Sequence, residues 1–275
     1  MIVGVAVVKD EADIIETTIR HMATQVDGII VADNRSTDGT RQILDRLAGE
    51  LPVTVVDDPE VGYYQSRKTT DMLHLARAAG AEWCVPFDAD EIAYSPFGRI
   101  ADVLPEVVDD GHLAAWVDVY DHVTTDIDPD HADPTLRMGW RRDTPNPLPK
   151  VFVRCVPGIV VDMGNHRALH PDRYVATYLE HQFVIRHFPY RGSDQFERKA
   201  RNGAAAYAAA PDLGEGFGAH WRGYGRTLDE HGPGSLEGHY RKWFHRSDPT
   251  AELVVDDTVL PPLLYDPAPV SGRIG

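Results

Sequence analysis

The feature that most restricts the fold is an alternation in the first hundred residues, where short apolar runs are separated by amphipathic stretches. Ile2–Val8 is apolar throughout, which suits a strand covered on both faces. Asp10 can cap a helix that carries Ile14, Ile15, Ile19 and Met22 at helical spacing. Gly28–Ala32 reads as a second strand, followed by the turn Asp33-Asn34-Arg35-Ser36 and a helix bearing Ile43, Leu44 and Leu47. Pro52–Val56 is a third strand, Gln65–Ala79 a helix ending at Gly80, and Trp83–Phe87 a fourth strand. Strands alternating with helices at these spacings predict an α/β chain with a parallel, doubly wound sheet and helices on both faces.

The second half changes character. Leu113–Val119, Val151–Val156, Ile159–Asp162 and Tyr174–His187 read as strands without helices between them, which predicts a mixed sheet extending the first. Residues 126–149 are rich in Pro and Asp and form a long loop of the kind that carries function. Ser193 can cap a helix running through Tyr207, and Leu236–Phe244 reads as a short helix.

Composition narrows the partners. Acidic residues outnumber basic ones 43 to 27, for a formal charge of -16. Such a chain is repelled by nucleic-acid backbones and by anionic membranes, so neither a nucleic acid nor an integral membrane contact is expected. No window approaches the ~20 apolar residues of a membrane span, and the N-terminus lacks the basic flank of a signal peptide. The expected location is cytoplasmic. Cys84 and Cys155 each sit in an apolar run and read as buried free thiols. The excess of arginine over lysine, 22 to five, reads as a genome bias.

Two segments carry chemistry. Phe87-Asp88-Ala89-Asp90-Glu91 follows the fourth strand directly, and ligands of open parallel sheets bind beyond the carboxyl ends of the strands. Carboxylates at i and i+2 there can approach one divalent cation. Hard cations such as Mg2+ and Mn2+ take oxygen ligands and bridge to a diphosphate, whose departure their charge stabilises. The second segment is Asp33-Asn34-Arg35-Ser36-Thr37-Asp38-Gly39-Thr40, again at a strand end. A carboxylate at that place can accept hydrogen bonds from a uracil or thymine imide or from a ribose. The same residues also suit an ordinary Asp/Ser/Gly turn with a helix cap.

Together with Val7-Val8-Lys9-Asp10-Glu11, these segments resemble the family 2 glycosyltransferases of the GT-A fold. Here the motifs read KDE, DNRSTDGT and DADE, in the family's order. Gln65-Ser66-Arg67-Lys68-Thr69-Thr70, and His187-Phe188-Pro189-Tyr190-Arg191-Gly192-Ser193 followed by Gln195, Phe196 and Lys199, look like a soluble bacterial branch. The resemblance covers residues 2–205. It implies a GT-A type, Rossmann-like nucleotide-binding sheet, with 1–110 as the nucleotide-sugar-binding half and 111–210 as the acceptor-side half of the same domain. Residues 211–275 are left as an extension of unknown role. The implied activity is metal-dependent transfer of a sugar from a nucleoside-diphosphate sugar to an acceptor, with inversion.

Carried over residue by residue, the resemblance implies that Asp33 holds the base and that Glu11 lies near the nucleoside. Asp88 would contact ribose, or the metal through water, while Asp90 ligates Mn2+ or Mg2+ directly. His187 stands where many such folds supply a histidine metal ligand. Arg67 is assigned a diphosphate or donor-sugar contact, because a guanidinium pairs well with phosphate oxygens.

An inverting displacement needs a base for the acceptor proton. The acidic pair that usually opens an acceptor-side helix in this family is missing, so the candidates are Asp162, His166 and Glu180. The acceptor is expected to be a soluble small molecule, peptide or glycan rather than a lipid. Two other readings are a nucleotidyltransferase that makes the nucleotide sugar, and a catalytically silent sugar- or partner-binding protein. The first would carry a Gly-rich basic loop after the first strand, which VVKDEAD does not provide.

Overall fold

The computed structural model describes residues 1–109, 111–172, 175–178, 182–214 and 216–258. Nine of its strands form one sheet. They are β1 (Ile2–Val8), β2 (Gly28–Asp33), β3 (Val53–Asp57), β4 (Trp83–Pro86), β5 (Glu91–Tyr94), β6 (Ala114–Asp121), β7 (Lys150–Arg154), β8 (Ala176–Tyr178) and β9 (Val184–His187). Their spatial order is β3-β2-β1-β4-β7-β6-β9-β5, and β8 pairs with β6 as well.

The helices of eight or more described residues are α1 (Ile15–Gln25), α2 (Thr40–Ala48), α3 (Gln65–Ala78), α4 (Ile100–Val107), α5 (Ser193–Ala208), α6 (Ala219–His231) and α7 (Glu237–Phe244). The apolar run of β1 is read by both faces. Ile2, Ala6 and Val8 pack with α1, α2 and α4, through side chains such as Ile19, Leu44 and Leu104. Val3 and Val5 pack with Met72, Leu73 and Ala76 of α3 on the opposite face. This is the burial that a continuous apolar strand predicts, since alternate side chains leave a strand on opposite sides. Each fully buried aliphatic side chain contributes about 1.5–3 kcal/mol. Cys84 and Cys155 are buried free thiols, with sulfurs 3.5 Å apart.

Strand direction positions the site. β1 runs parallel to β2 and to β4, and β2 parallel to β3. β7 lies antiparallel to both β4 and β6. β9 is parallel to β6 and antiparallel to β5. One edge of the sheet therefore gathers the carboxyl ends of β1, β2, β4, β6 and β9 with the amino ends of β5 and β7.

Several elements differ from the sequence expectations. Asp10 does not cap α1, whose N-cap is Ile14 without a side-chain bond. Asp10 has a left-handed φ of 54°, and its Oδ1 accepts from the Thr37 amide at 2.6 Å. Its carboxylate is therefore committed to the turn after β2. Ser193 is the first residue of α5 rather than its cap, which is Gly192. The stretch Tyr174–His187 is two short strands rather than one, with part of it outside the described residues. β5 and α4 were not read from the sequence, because Glu91–Tyr94 is only four residues long and begins inside the acidic Asp88-Ala89-Asp90-Glu91 segment.

Candidate active site

A cavity of about 430 Å3 opens on the sheet edge where those strand ends converge. Glu11 enters it from the loop after β1, Asp88 and Asp90 from the loop after β4, and His187 from the end of β9. α5 and α6 close the other side. Four of the chain's five lysines, Lys9, Lys68, Lys150 and Lys199, line this one cavity.

Asp90 is 3% exposed and surrounded by cations. Its Oδ2 accepts a short hydrogen bond from Lys199 Nζ and lies 3.6 Å from Arg191 Nη1. Its Oδ1 faces His187 Nε2 at 3.8 Å. Burial alone would raise the Asp90 pKa, but Lys199, His187 and Arg191 outweigh it and hold the carboxyl well below the usual range. Arg191 also grips the loop after β1, donating to Glu11 Oε2 and, at 2.8 Å, to both oxygens of Asp13.

β-sheet register places His187 directly between two acids, opposite Asp121 on β6 and Glu91 on β5. Its Nδ1 lies 2.8 Å from Asp121 Oδ1, and Asn146 Nδ2 donates to the other Asp121 oxygen at 3.1 Å. Burial lowers the His187 pKa, yet Asp121, Asp90 and Glu91 more than offset that, so the net shift is upward.

A second network is built on Asp88. Lys150 Nζ bridges Asp88 Oδ2 at 2.6 Å and the fully buried Glu91 Oε1 at 2.8 Å. Burial disfavours the ammonium, but these two charges win and raise the Lys150 pKa. Gln65, the first residue of α3, donates to Asp88 Oδ1 at 3.3 Å, while its Oε1 accepts from the Gly164 amide at 3.0 Å. Gln65 thereby ties Asp88 to the Met163–Asn165 turn and hence to His166. Gly164 has φ 73°, and a Cβ there would lie 2.3 Å from the His166 ring, so only glycine fits under it. His166 Nδ1 lies 2.9 Å from the Pro149 carbonyl and so carries the proton. Nε2 is left with a lone pair. Burial lowers the His166 pKa, and Lys150 adds to it, which keeps the ring neutral near pH 7.

Asp90 Oδ1 and His187 Nε2 fit a divalent cation as a pair of donors on one side. Among the described residues no group of three or more His, Cys, Asp and Glu side chains converges to hold a metal ion. The donor set therefore suits an ion that takes its other ligands from a bound diphosphate and water, as Mg2+ and Mn2+ do in phosphate sites. The Asp121 carboxylate behind His187 is the usual support of a ligating imidazole.

The structure brings together Glu11, Asp88, Asp90, His166 and His187 around the cavity. Asp33 is buried at the end of β2, where its Oδ1 lies 3.4 Å from the Ser36 amide, and its neighbour Asn34 lines the cavity instead. Arg67 lies over the Tyr64 ring at 4.7 Å and 3.6 Å from Glu60, off the cavity, while the next residue, Lys68, lines it. Asp162 pairs with Arg167 at 2.5 Å. Glu180 lies outside the described residues. Sequence reasoning missed Lys150 and Asp121, and it named Gln65, Arg191 and Lys199 only as parts of motifs, without a role in the site. The scarcity of lysine was the available signal, because a residue used five times and placed four times in one cavity is not explained by composition alone. The three non-glycine residues with positive φ among those described, Asp10, Arg35 and Asn165, are each a chain neighbour of a lining residue.

The profile of Glycosyl transferase family 2 matches residues 5–164, more than half of the chain. No curated protein sequence matches significantly. Among solved structures the chain is similar to a mannosyltransferase, PcManGT of Pyrobaculum calidifontis, in complex with GDP-Man and Mn2+. That pair shares 18% identity with a TM-score of 0.45, over 91% of this chain and 77% of that one. It is also similar to S. aureus TarS 1-349 in complex with UDP-GlcNAc, at 14% identity and a TM-score of 0.40, over 88% of this chain and 75% of that one. Both likenesses are distant, and the family assignment rests on the sequence profile.

Proposed function

The chain belongs to glycosyl transferase family 2, and from that premise we propose that its cavity binds a nucleoside-diphosphate sugar with a divalent cation and transfers the sugar, with inversion, to an acceptor hydroxyl. The observation that carries this reading is the facing pair of Asp90 Oδ1 and His187 Nε2, set among lysines at the carboxyl ends of parallel strands. A cation bound there supplies positive charge to the diphosphate as it leaves.

The chain's own residues account for the rest. Lys199 and Arg191 fix Asp90 and Glu11 in place, so that their charge is preorganised before any ligand arrives. Lys9 and Lys68 add cationic donors on the donor side, with Lys68 held by Asp58 at 2.6 Å. The acceptor oxygen attacks the anomeric carbon while its bond to the diphosphate oxygen breaks, and the hydroxyl proton passes to His166 Nε2. His166 suits that task because its tautomer is set by Pro149 and its ring stays neutral. The acceptor side falls to the strands and helices after β5, with the acceptor a soluble molecule. Among the described residues no helix is long and apolar enough to cross a membrane.

Calorimetric titration of UDP, GDP and dTDP, with and without Mn2+, tests the reading on wild type and Asp90→Ala. Wild type should bind at least one nucleotide in a Mn2+-dependent manner, and the variant should lose that dependence. Equal affinity in both proteins, indifferent to Mn2+, would remove the metal from the account.

A further inference from the structure

The wall of the cavity facing the ends of β1 and β2 comes from α5 and α6, beyond the residues matched by the family profile. α5 crosses the whole site. Lys199 lies at Asp90, Asn202 Nδ2 donates to Asp10 Oδ2 at 2.8 Å, and the Ala206 carbonyl accepts from the Tyr63 amide at 3.0 Å. Between Asn202 and Ala206 sits Gly203, and on it rests the indole of Trp221. A Cβ at Gly203 would come within 2.9 Å of Trp221 Cδ2 and 3.0 Å of Cγ. The missing side chain is what lets the ring lie against the helix at this level.

Three tyrosines and one tryptophan line the cavity, and the three tyrosines already have a partner on the ring. Tyr63 is stacked on Tyr207 at 4.5 Å, Tyr190 lies on Phe244 at 3.8 Å, and Tyr64 carries the Arg67 guanidinium. Trp221 meets His220 in a tilted contact at 47° and Tyr224 edge-on at 77°, and has no stacked ring among the described residues. It is half-buried. Opposite, the ends of β1 and β2 offer Val7, Val8, Lys9, Glu11 and Asn34, none of them aromatic.

A nucleotide at the carboxyl ends of β1 and β2 presents a flat base with two apolar faces and a polar edge. The sheet side can meet its edge and its ribose but has no ring to cover a face. We propose that Trp221 is the stacking surface for the donor's nucleobase, supplied by the C-terminal part of the chain. This inference rests on the reading of the cavity as a nucleotide-sugar site.

The test uses the full chain and four probes: UDP, GDP and dTDP with Mn2+, and inorganic diphosphate with Mn2+ as a ligand without a base. Calorimetry on wild type, Trp221→Ala and Trp221→Phe gives the comparison. Loss of one stacking ring should weaken the nucleotide about 5- to 150-fold in Trp221→Ala. Trp221→Phe should recover most of it, and diphosphate should bind all three proteins alike. Nucleotide affinity unchanged in Trp221→Ala overturns the inference while leaving the glycosyltransferase site intact. Equal loss of nucleotide and diphosphate overturns it too, since the wall would then act on shape rather than on the base. A wild type that binds diphosphate but no nucleotide contradicts the reading of the site itself.

Discussion

His187 Nδ1 lies 2.8 Å from Asp121 Oδ1, and the opposite nitrogen of the same ring faces Asp90 Oδ1 at 3.8 Å. The Asp121 bond places a ring proton on Nδ1 and turns Nε2 toward Asp90. Replacing a carboxylate behind a ligating histidine typically costs about 10- to 100-fold in metal affinity. Asp121→Ala should therefore weaken Mn2+ binding, measured by calorimetry with a nucleotide present, by about tenfold or more. Unchanged Mn2+ affinity in the variant would mean that His187 is oriented without Asp121 or does not meet the metal.

Lys150 is the lone described cation within bonding distance of both Asp88 and Glu91, and it is 5% exposed. Truncating one member of a buried ion pair leaves its partner uncompensated and costs about 3–5 kcal/mol. Lys150→Met should lower unfolding stability by roughly 3 kcal/mol in urea melts. A change under about 0.5 kcal/mol, the range of ordinary surface substitutions, would show that Glu91 is satisfied without it.

The proposal that His166 takes the acceptor proton gives a kinetic prediction. His166→Ala should reduce kcat by about 10^2- to 10^4-fold, the usual range for a general base, while nucleotide affinity stays at the wild-type value. Wild-type kcat should fall only as pH drops below the ordinary histidine value of about 6.5, since burial and Lys150 depress the His166 pKa. A kcat loss accompanied by an equal loss of nucleotide affinity would assign His166 to the turn rather than to the chemistry.

Much of this was legible in the sequence, and the reasons are physical. The apolar strands and the DADE and DNRSTDGT segments are local signals, so β1 to β4 and the placement of Asp88 and Asp90 could be read directly. His187 could be singled out because it stands where the resembling folds supply a histidine. Asp121 could not, because its role exists only through the register that sets it beside His187, 66 positions away. Lys150 looks like any charged residue in sequence and Lys199 stood out only as part of a motif, and it is the antiparallel insertion of β7 and the packing of α5 that bring them to Asp88 and Asp90. Arg67 and Lys68 show the limit of helix reading, since one residue of rotation decides which of the two faces the cavity.

His21 gives a prediction about stability. It is fully buried on α1 and its Nε2 donates to the Ala93 carbonyl at 2.7 Å. Burial drives its pKa down to about 4, with Arg186 adding to the effect. A histidine whose folded pKa is depressed stabilises the fold fully above its unfolded value of about 6.5. That stability is lost as pH falls toward about 4, and the whole effect is worth about 3 kcal/mol. Between pH 6.5 and 4 the stability of wild type should fall more steeply than that of His21→Gln in denaturant titrations. Parallel curves would mean that the ring titrates freely in the folded state.

The central claim is that this cavity cleaves a nucleotide sugar at its anomeric carbon. The most direct measurement is release of nucleoside diphosphate from a panel of UDP-, GDP- and dTDP-sugars with Mn2+, by wild type and by Asp90→Ala. The account predicts slow release from at least one donor by wild type even without an acceptor, with water taking the acceptor's place, and none above background by the variant. Release by both proteins at one rate, or intact donors throughout the panel at high enzyme concentration, would contradict it.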